Sequence, residues 1–199
     1  AANTPQVINL KLKNAIKSGA FGKLYGGGGN RELYEAGGIM NLFRDTTQVS
    51  LLAYGNNVNK AGFAMNDVMR IGGFERSGTS SMSVSSDGGF ELDGISFGGP
   101  MGGGVQTSVG AGANFNTLTK KGIKLNGKYF FTHQDNWLRQ VVDEDQTLGS
   151  NFLFTNKISN NQKVNDMHNF GAKIEFPLDS SSQLTIEPNL RLGFSRGNE

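Results

Sequence analysis

The tract "DEDQTLG" places carboxylates at Asp143 and Asp145 with Thr147 following, an alternation of oxygen ligands like that of an EF-hand calcium loop. Such a loop requires glycine at its sixth position, and here that residue is Leu148, so a solvated acidic loop is the default. "GGPMGGGVQTS" has the glycine content of a phosphate cradle. It lacks the Gly-Lys-Ser/Thr that holds a nucleotide, and it precedes a strand pattern rather than a helix. His133 and His168 have no second His or Cys at ligand spacing, which makes them ordinary polar positions rather than zinc ligands. Ser80, Ser81 and Ser83 stand in low-complexity sequence, and no Ser-His-Asp or Cys-His set is readable. The expectation is a protein that is not an enzyme, with no catalytic residues, no metal and no cofactor.

A second set of polar residues recurs with a period of two. In "GIKLNGKYFFTH", Lys124, Asn126 and Lys128 alternate with Ile123, Leu125, Gly127, Tyr129 and Phe131. In "LTIEPNLRLGFS", Glu187 and Arg191 alternate with Leu184, Ile186, Leu190, Leu192 and Phe194, and Lys173 and Glu175 occupy the matching row of "FGAKIEFPL". Successive side chains of a strand point to opposite faces, so each segment is a two-faced strand. Lys124, Asn126, Lys128, Lys173, Glu175, Glu187 and Arg191 are therefore the candidates for lining a wet interior. The apolar rows, of which Val105, Thr107, Val109, Ala111, Ala113 and Phe115 form another, would face hydrocarbon.

The 199 residues suffice for one domain, and the formal net charge of +2 predicts no nucleic-acid partner. No run approaches the roughly 20 apolar residues of a membrane helix. The 29 glycines disfavour helices, and the reading is all-β. Strands are expected at Gln6 to Asn14, in "AFGKLYGGGG", "LYEAGGIMNLFR" and "VSLLAYGNN", in both arms of "GVQTSVGAGANFNTLTKKGIKLNGKYFFTH", and in the closing hairpin. Tight links fall at Asp45, Thr117 and Asp179. Long polar excursions run from Val58 to Gly103 and from His133 to about Asn169, the second with strand extensions at "WLRQVV" and "NFLFTNKI". Short links at one end and long ones at the other form the loop asymmetry of an outer-membrane barrel. Tyr129, Phe131, Phe170, Phe176 and Phe194 gather where its interfacial girdles would lie.

"VINLKLKNAIKSGAFGKLYGGGG", "LFRDTTQVSLLAYGNNVNKAGFAMND", "GGPMGGGVQTSVGAGANFN" and "LNGKYFFTH" together resemble the TonB-dependent receptors of Bacteroidetes-type outer membranes, in their outer-membrane β-barrel family. The resemblance covers nearly the whole chain and rests on strand texture and Gly/Asn-rich loops. It implies that residues 1–19 are the end of a periplasm-facing plug and its linker, and that residues 20–199 are the N-terminal part of the barrel, an antiparallel up-and-down meander. About seven crossings are readable, short of the even number, eight or more, of a single-chain barrel, so the chain reads as a fragment. Uptake of a nutrient ligand across the cell outer membrane is the implied function. The implied partners are outer-membrane lipid, the rest of the same barrel, TonB and a surface lipoprotein. Loops carry specificity on such a scaffold, which makes Trp137, Asp143 and Asp145 the ligand-loop candidates. Two other readings stand beside it. One is a non-transporting structural or adhesive surface protein; the other is a soluble β-sandwich carbohydrate-binding module with Trp137, Tyr129 and Phe130 as its stacking platform.

Overall fold

A computed structural model describes residues 17–74, 81–84, 89–99, 103–148 and 151–198. The strand expected at Gln6 to Asn14, and with it nearly all of the expected plug segment 1–19, lies outside the described residues. The chain runs through β1 (Ser18–Gly28), β2 (Tyr34–Arg44) and β3 (Thr47–Asn56). It then enters an insert holding α1 (Met65–Arg70), β4 (Met82–Val84), β5 (Phe90–Leu92) and β6 (Ile95–Ser96). It leaves through β7 (Val105–Leu118), β8 (Lys124–Leu148), β9 (Asn151–Pro177), β10 (Gln183–Ile186) and β11 (Asn189–Asn198). One sheet takes the order β1-β2-β3-β7-β8-β9, with β10 and β11 both on β9, and every pair is antiparallel. The fold is all-β, and among the described residues its one helix is six residues long. The sheet is open, with β1 at one edge and the β10–β11 line at the other.

β10 and β11 keep a single register on β9, Ile186 opposite Ile174 and Leu190 opposite Phe170, so the two make one line interrupted at Glu187 and Pro188. Proline lacks the N–H that a ladder needs. Counted as lines, the sheet has seven strands, as many as expected. The tight links fall where the turn residues stand. Asp45 takes a left-handed φ of 51°, and Gly122, with φ 81°, donates its N–H to the Thr119 carbonyl at 3.0 Å. The Asp179 carboxylate accepts from the Ser181 N–H at 2.7 Å and the Ser181 hydroxyl at 3.0 Å, and these bonds hold its pKa below the usual carboxylate range. Antiparallel order sets these three links at one end. The 29–33 link, the insert and the β8–β9 connection lie at the other.

Two expectations require correction. The stretch from His133 to Asn169 is strand well beyond the extensions expected at "WLRQVV" and "NFLFTNKI", both of which fall in one ladder: β8 and β9 stay paired from Lys124 opposite Glu175 to Leu148 opposite Asn151. Val141, Val142, Phe152, Phe154 and Ile158 supply β-branched and aromatic residues along it, and the polar residues between them tolerate a ribbon exposed on both sides. The 25 residues of β8 reach about 80 Å at roughly 3.3 Å per residue, well beyond the 9–11 that cross a bilayer. Trp137, Asp143 and Asp145 are accordingly strand residues of β8.

The other correction concerns Val58 to Gly103. Where described, this excursion lies against one face of the sheet instead of projecting from its end. Phe63, Val68, Phe74, Phe90, Leu92, Ile95 and Phe97 of the insert bury themselves with Ile39, Leu52, Tyr54 and Phe130 of the sheet. Phe97 is the hub, its ring 4.9 Å from Phe90 and 4.7 Å from Phe130. Glycines in the sheet make room for these rings. A Cβ on Gly112 would sit 2.1 Å from Phe130 Cδ2 and 2.8 Å from the Tyr129 carbonyl oxygen, whereas one on Gly127 would meet nothing within 4 Å. Gly112→Val should therefore destabilise by about 1–3 kcal/mol despite the strand preference of valine. Gly127→Ala should leave the denaturant midpoint nearly unchanged, and comparison of the two midpoints checks both.

Candidate functional site

Register assigns the two faces. The covered face, under the insert, carries Asn41 on β2, Ser50 on β3, Asn114 on β7, Lys128 on β8, Asn169 on β9 and Arg191 on β11, with the alternate residues on the open face. Over β2, β3 and β7 the polar row of the covered face is buried and binds the backbone that follows α1. Asn41 Nδ2 and Ser50 Oγ donate to the Ile71 carbonyl at 2.8 and 3.1 Å, and Asn114 Nδ2 donates to the Gly72 carbonyl at 2.9 Å. These carbonyls end a helix and have no intrahelical partner, so the sheet caps the helix. On β1, Lys23 Nζ lies 2.6 Å from Asp67 of α1, and the Tyr25 hydroxyl donates to the Gly62 carbonyl. The expected wet row is thus dry and occupied over this half of the sheet.

Over β8, β9 and β11 the row is charged. Lys124 Nζ lies 2.8 Å from Glu175, and Lys173 Nζ lies 2.8 Å from Glu187 and 3.5 Å from Glu175. The insert reaches this zone too: Asp93 pairs with Lys128 at 2.5 Å, and Glu91 stands 3.8 Å from Arg191. A cavity of about 280 Å³ opens between the insert and the sheet, lined in part by Asn126, Lys128, Asn169, Lys173, Glu187 and Arg191. Five of the seven residues expected to line an interior meet there. Lys124 and Glu175 adjoin it through the ion pairs just named.

The ligand-loop candidates do not join the cavity. Trp137 lies on the open face, half-exposed, and Asp143, which accepts from Asn156 Nδ2 at 2.5 Å, and Asp145 stand farther along the ribbon. The solvated acidic loop expected at Asp143 and Asp145 is instead paired strand, opposite Asn156 and Phe154. Among the described residues no group of three His, Asp or Glu side chains could hold a metal. Trp137, Tyr129 and Phe130 cannot form one stacking platform, since Phe130 points into the core while the other two share the open face.

The open face is apolar along its middle. Leu24, Met40, Leu42, Leu51, Val109, Phe115, Phe170, Leu190, Leu192 and Phe194 are all exposed on it. The row Val105 to Phe115 covers about 33 Å along β7. Polar pairs stand within this span on β8 and β9, His133 opposite Val109 and His168 opposite Phe131. His133 Nδ1 lies 2.6 Å from Asp166 Oδ1, and His168 Nδ1 lies 3.0 Å from the Tyr129 hydroxyl.

Asp93, Glu91 and Asn169 were not singled out from sequence. A signal existed for the first: Lys128 faces Gly171 on β9 and Asn114 on β7, so no carboxylate of the sheet stands beside it. Its partner had to come from elsewhere. Asn169 carried no such mark, being one asparagine among many.

The residues define an open antiparallel all-β sheet with an apolar face and a charged cavity under an insert. Comparison with known proteins finds no matching family model, no matching curated protein and no matching solved structure.

Proposed function

We propose that the chain is part of an outer-membrane β-barrel of the TonB-dependent receptor type, which takes up a nutrient ligand from outside a Bacteroidetes-type cell. The observation that carries this reading is the open face. Its large apolar side chains form rows on consecutive strands with no protein over them, an arrangement that hydrocarbon accommodates and water does not. A charged row on the opposite face supports it further. On this reading the two edges pair with further strands of the same barrel, TonB and a surface lipoprotein are its partners, and the β8–β9 ribbon stands outside the cell. No helix among the described residues is long and apolar enough to cross a membrane, and on this reading strands do the crossing.

The test is flotation with topology mapping. The protein should float with outer-membrane vesicles and require detergent for extraction. Epitopes at Asp45, Thr119 or Ser181 should be shielded in intact cells, and one inserted between Leu148 and Asn151 should be labelled from outside. Recovery in the soluble fraction, or labelling of Ser181 with the ribbon tip protected, would refute the proposal.

One observation favours the non-transporting alternative: the insert fills the covered face of β2, β3 and β7. The same geometry suits a plugged barrel that only displays its ribbon to a partner. Planar-bilayer conductance of the protein decides, since a permanently plugged barrel stays silent while a transporter with a displaceable insert opens.

A further inference from the structure

One hydrogen-bond donor at the cavity has no acceptor in the protein, and a second is only partly engaged. Asn169 is 7% exposed, and its Nδ2 is buried with no acceptor. Arg191 has its nearest carboxylate at 3.8 Å, in Glu91, and its Nε donates only to the Met167 sulfur at 3.0 Å. The other cations there are engaged, Lys128 by Asp93 at 2.5 Å and Lys173 by Glu187 at 2.8 Å. Asn169 and Arg191 are direct cross-strand partners of β9 and β11 on the covered face. Side chains so placed leave the backbone about 5 Å apart and can grip one group between them.

We propose that Arg191 and Asn169 bind the carboxylate of a small monocarboxylic acid in this cavity. A guanidinium presents parallel N–H donors that match the two oxygens of a carboxylate, and the carboxamide N–H adds a further donor. A buried donor without an acceptor costs free energy that a ligand oxygen removes. Charge favours a monoanion, because the lining carboxylates Asp93 and Glu187 repel a phosphate dianion. Size selects a short chain, because about 280 Å³ stands at the lower limit of ligand pockets. Asn126 and Asn189, which also line the cavity, offer both donors and acceptors to a hydroxyl beside the carboxylate.

The inference does not rest on the membrane reading: lactate can bind a protein that fails to float, and a protein that floats can fail to bind lactate. The experiment is equilibrium dialysis of radiolabelled L-lactate against the full chain refolded in detergent, with sheet content checked by circular dichroism. Saturable one-to-one binding is expected in the millimolar range or tighter, displaced by acetate and not by methyl lactate. Arg191 is half-exposed, so its variants fold. Arg191→Gln should weaken binding about tenfold or more, the loss of a charge-assisted pair of hydrogen bonds, with Arg191→Lys between it and the wild type. Absence of saturable binding, equal affinity in Arg191→Gln, or stronger displacement by inorganic phosphate than by acetate would each overturn the proposal.

Discussion

Replacing Lys128 by Met should lower the stability of the folded chain by about 3–5 kcal/mol, because it leaves the Asp93 carboxylate buried without its cation. The two side chains are only 15% and 8% exposed and meet at 2.5 Å, so water cannot take over the lost interaction. Asp93 is held there from its own side as well. Its Oδ1 accepts from the Ser81 N–H at 2.9 Å and its backbone takes a left-handed φ of 49°. A carboxylate so fixed cannot turn outward without undoing the short β4–β5–β6 sheet. Most of the loss should therefore appear as opening of the insert, read as faster hydrogen exchange at Phe90 to Phe97, with the β8–β9 ladder still protected. The double variant Lys128→Met with Asp93→Asn should recover much of the loss, since a cycle isolates the coupling of two groups in contact. A single-variant cost below about 1 kcal/mol would place the pair with ordinary solvated ion pairs and deny it a role in holding the insert.

That ion pair also marks where the sequence stops being legible. Lys128 was readable as a residue of the polar row because strand periodicity is local: the residue type at every second position is enough. The same logic placed Lys173, Glu175, Glu187 and Arg191 on one face before any contact was known, and the register bears this out, Lys124 opposite Glu175 and Asn126 opposite Lys173. What covers a face is not a local property. Phe63, Val68, Phe74, Phe90, Leu92, Ile95 and Phe97 lie in glycine- and serine-rich segments with no sustained period, so nothing in their spacing announces a core. Their docking depends on gaps in the sheet at Gly110 and Gly112, where the Tyr54 and Phe130 rings lie against bare backbone. The full extent of the β8–β9 ribbon, beyond the strand extensions at "WLRQVV" and "NFLFTNKI", was hidden for a different reason. Polar residues such as Asn160, Asn161 and Gln162 signal loop when read singly, yet backbone pairing with Arg139, Leu138 and Trp137 makes them strand. Asp143 and Asp145 read as loop and are strand, whereas Trp137 opens the expected strand extension "WLRQVV".

Leu190 separates the possible surroundings of the open face through two substitutions at one position. It is 54% exposed, opposite Phe170 of β9 and two residues from Leu192 on the same face. If hydrocarbon lies there, Leu190→Arg should cost roughly 2–4 kcal/mol, the penalty for a cation on the lipid face near the bilayer midplane. Leu190→Trp should cost little, because a fluid boundary yields to a larger apolar ring. If water lies there instead, Leu190→Arg should be close to neutral, since an exposed charge is fully hydrated and surface substitutions seldom exceed about 0.5 kcal/mol. If a close-packed protein layer covers the face, both substitutions should destabilise, one by burying an unpaired charge and the other by overpacking. Arg191→Gln, one residue away on the covered face, is the internal control and should unfold near the wild-type denaturant concentration. Each variant would be refolded into bilayers and titrated with denaturant. A large loss for arginine with tolerance of tryptophan supports lipid, near-neutral arginine excludes it, and equal losses transfer the open face to a protein partner.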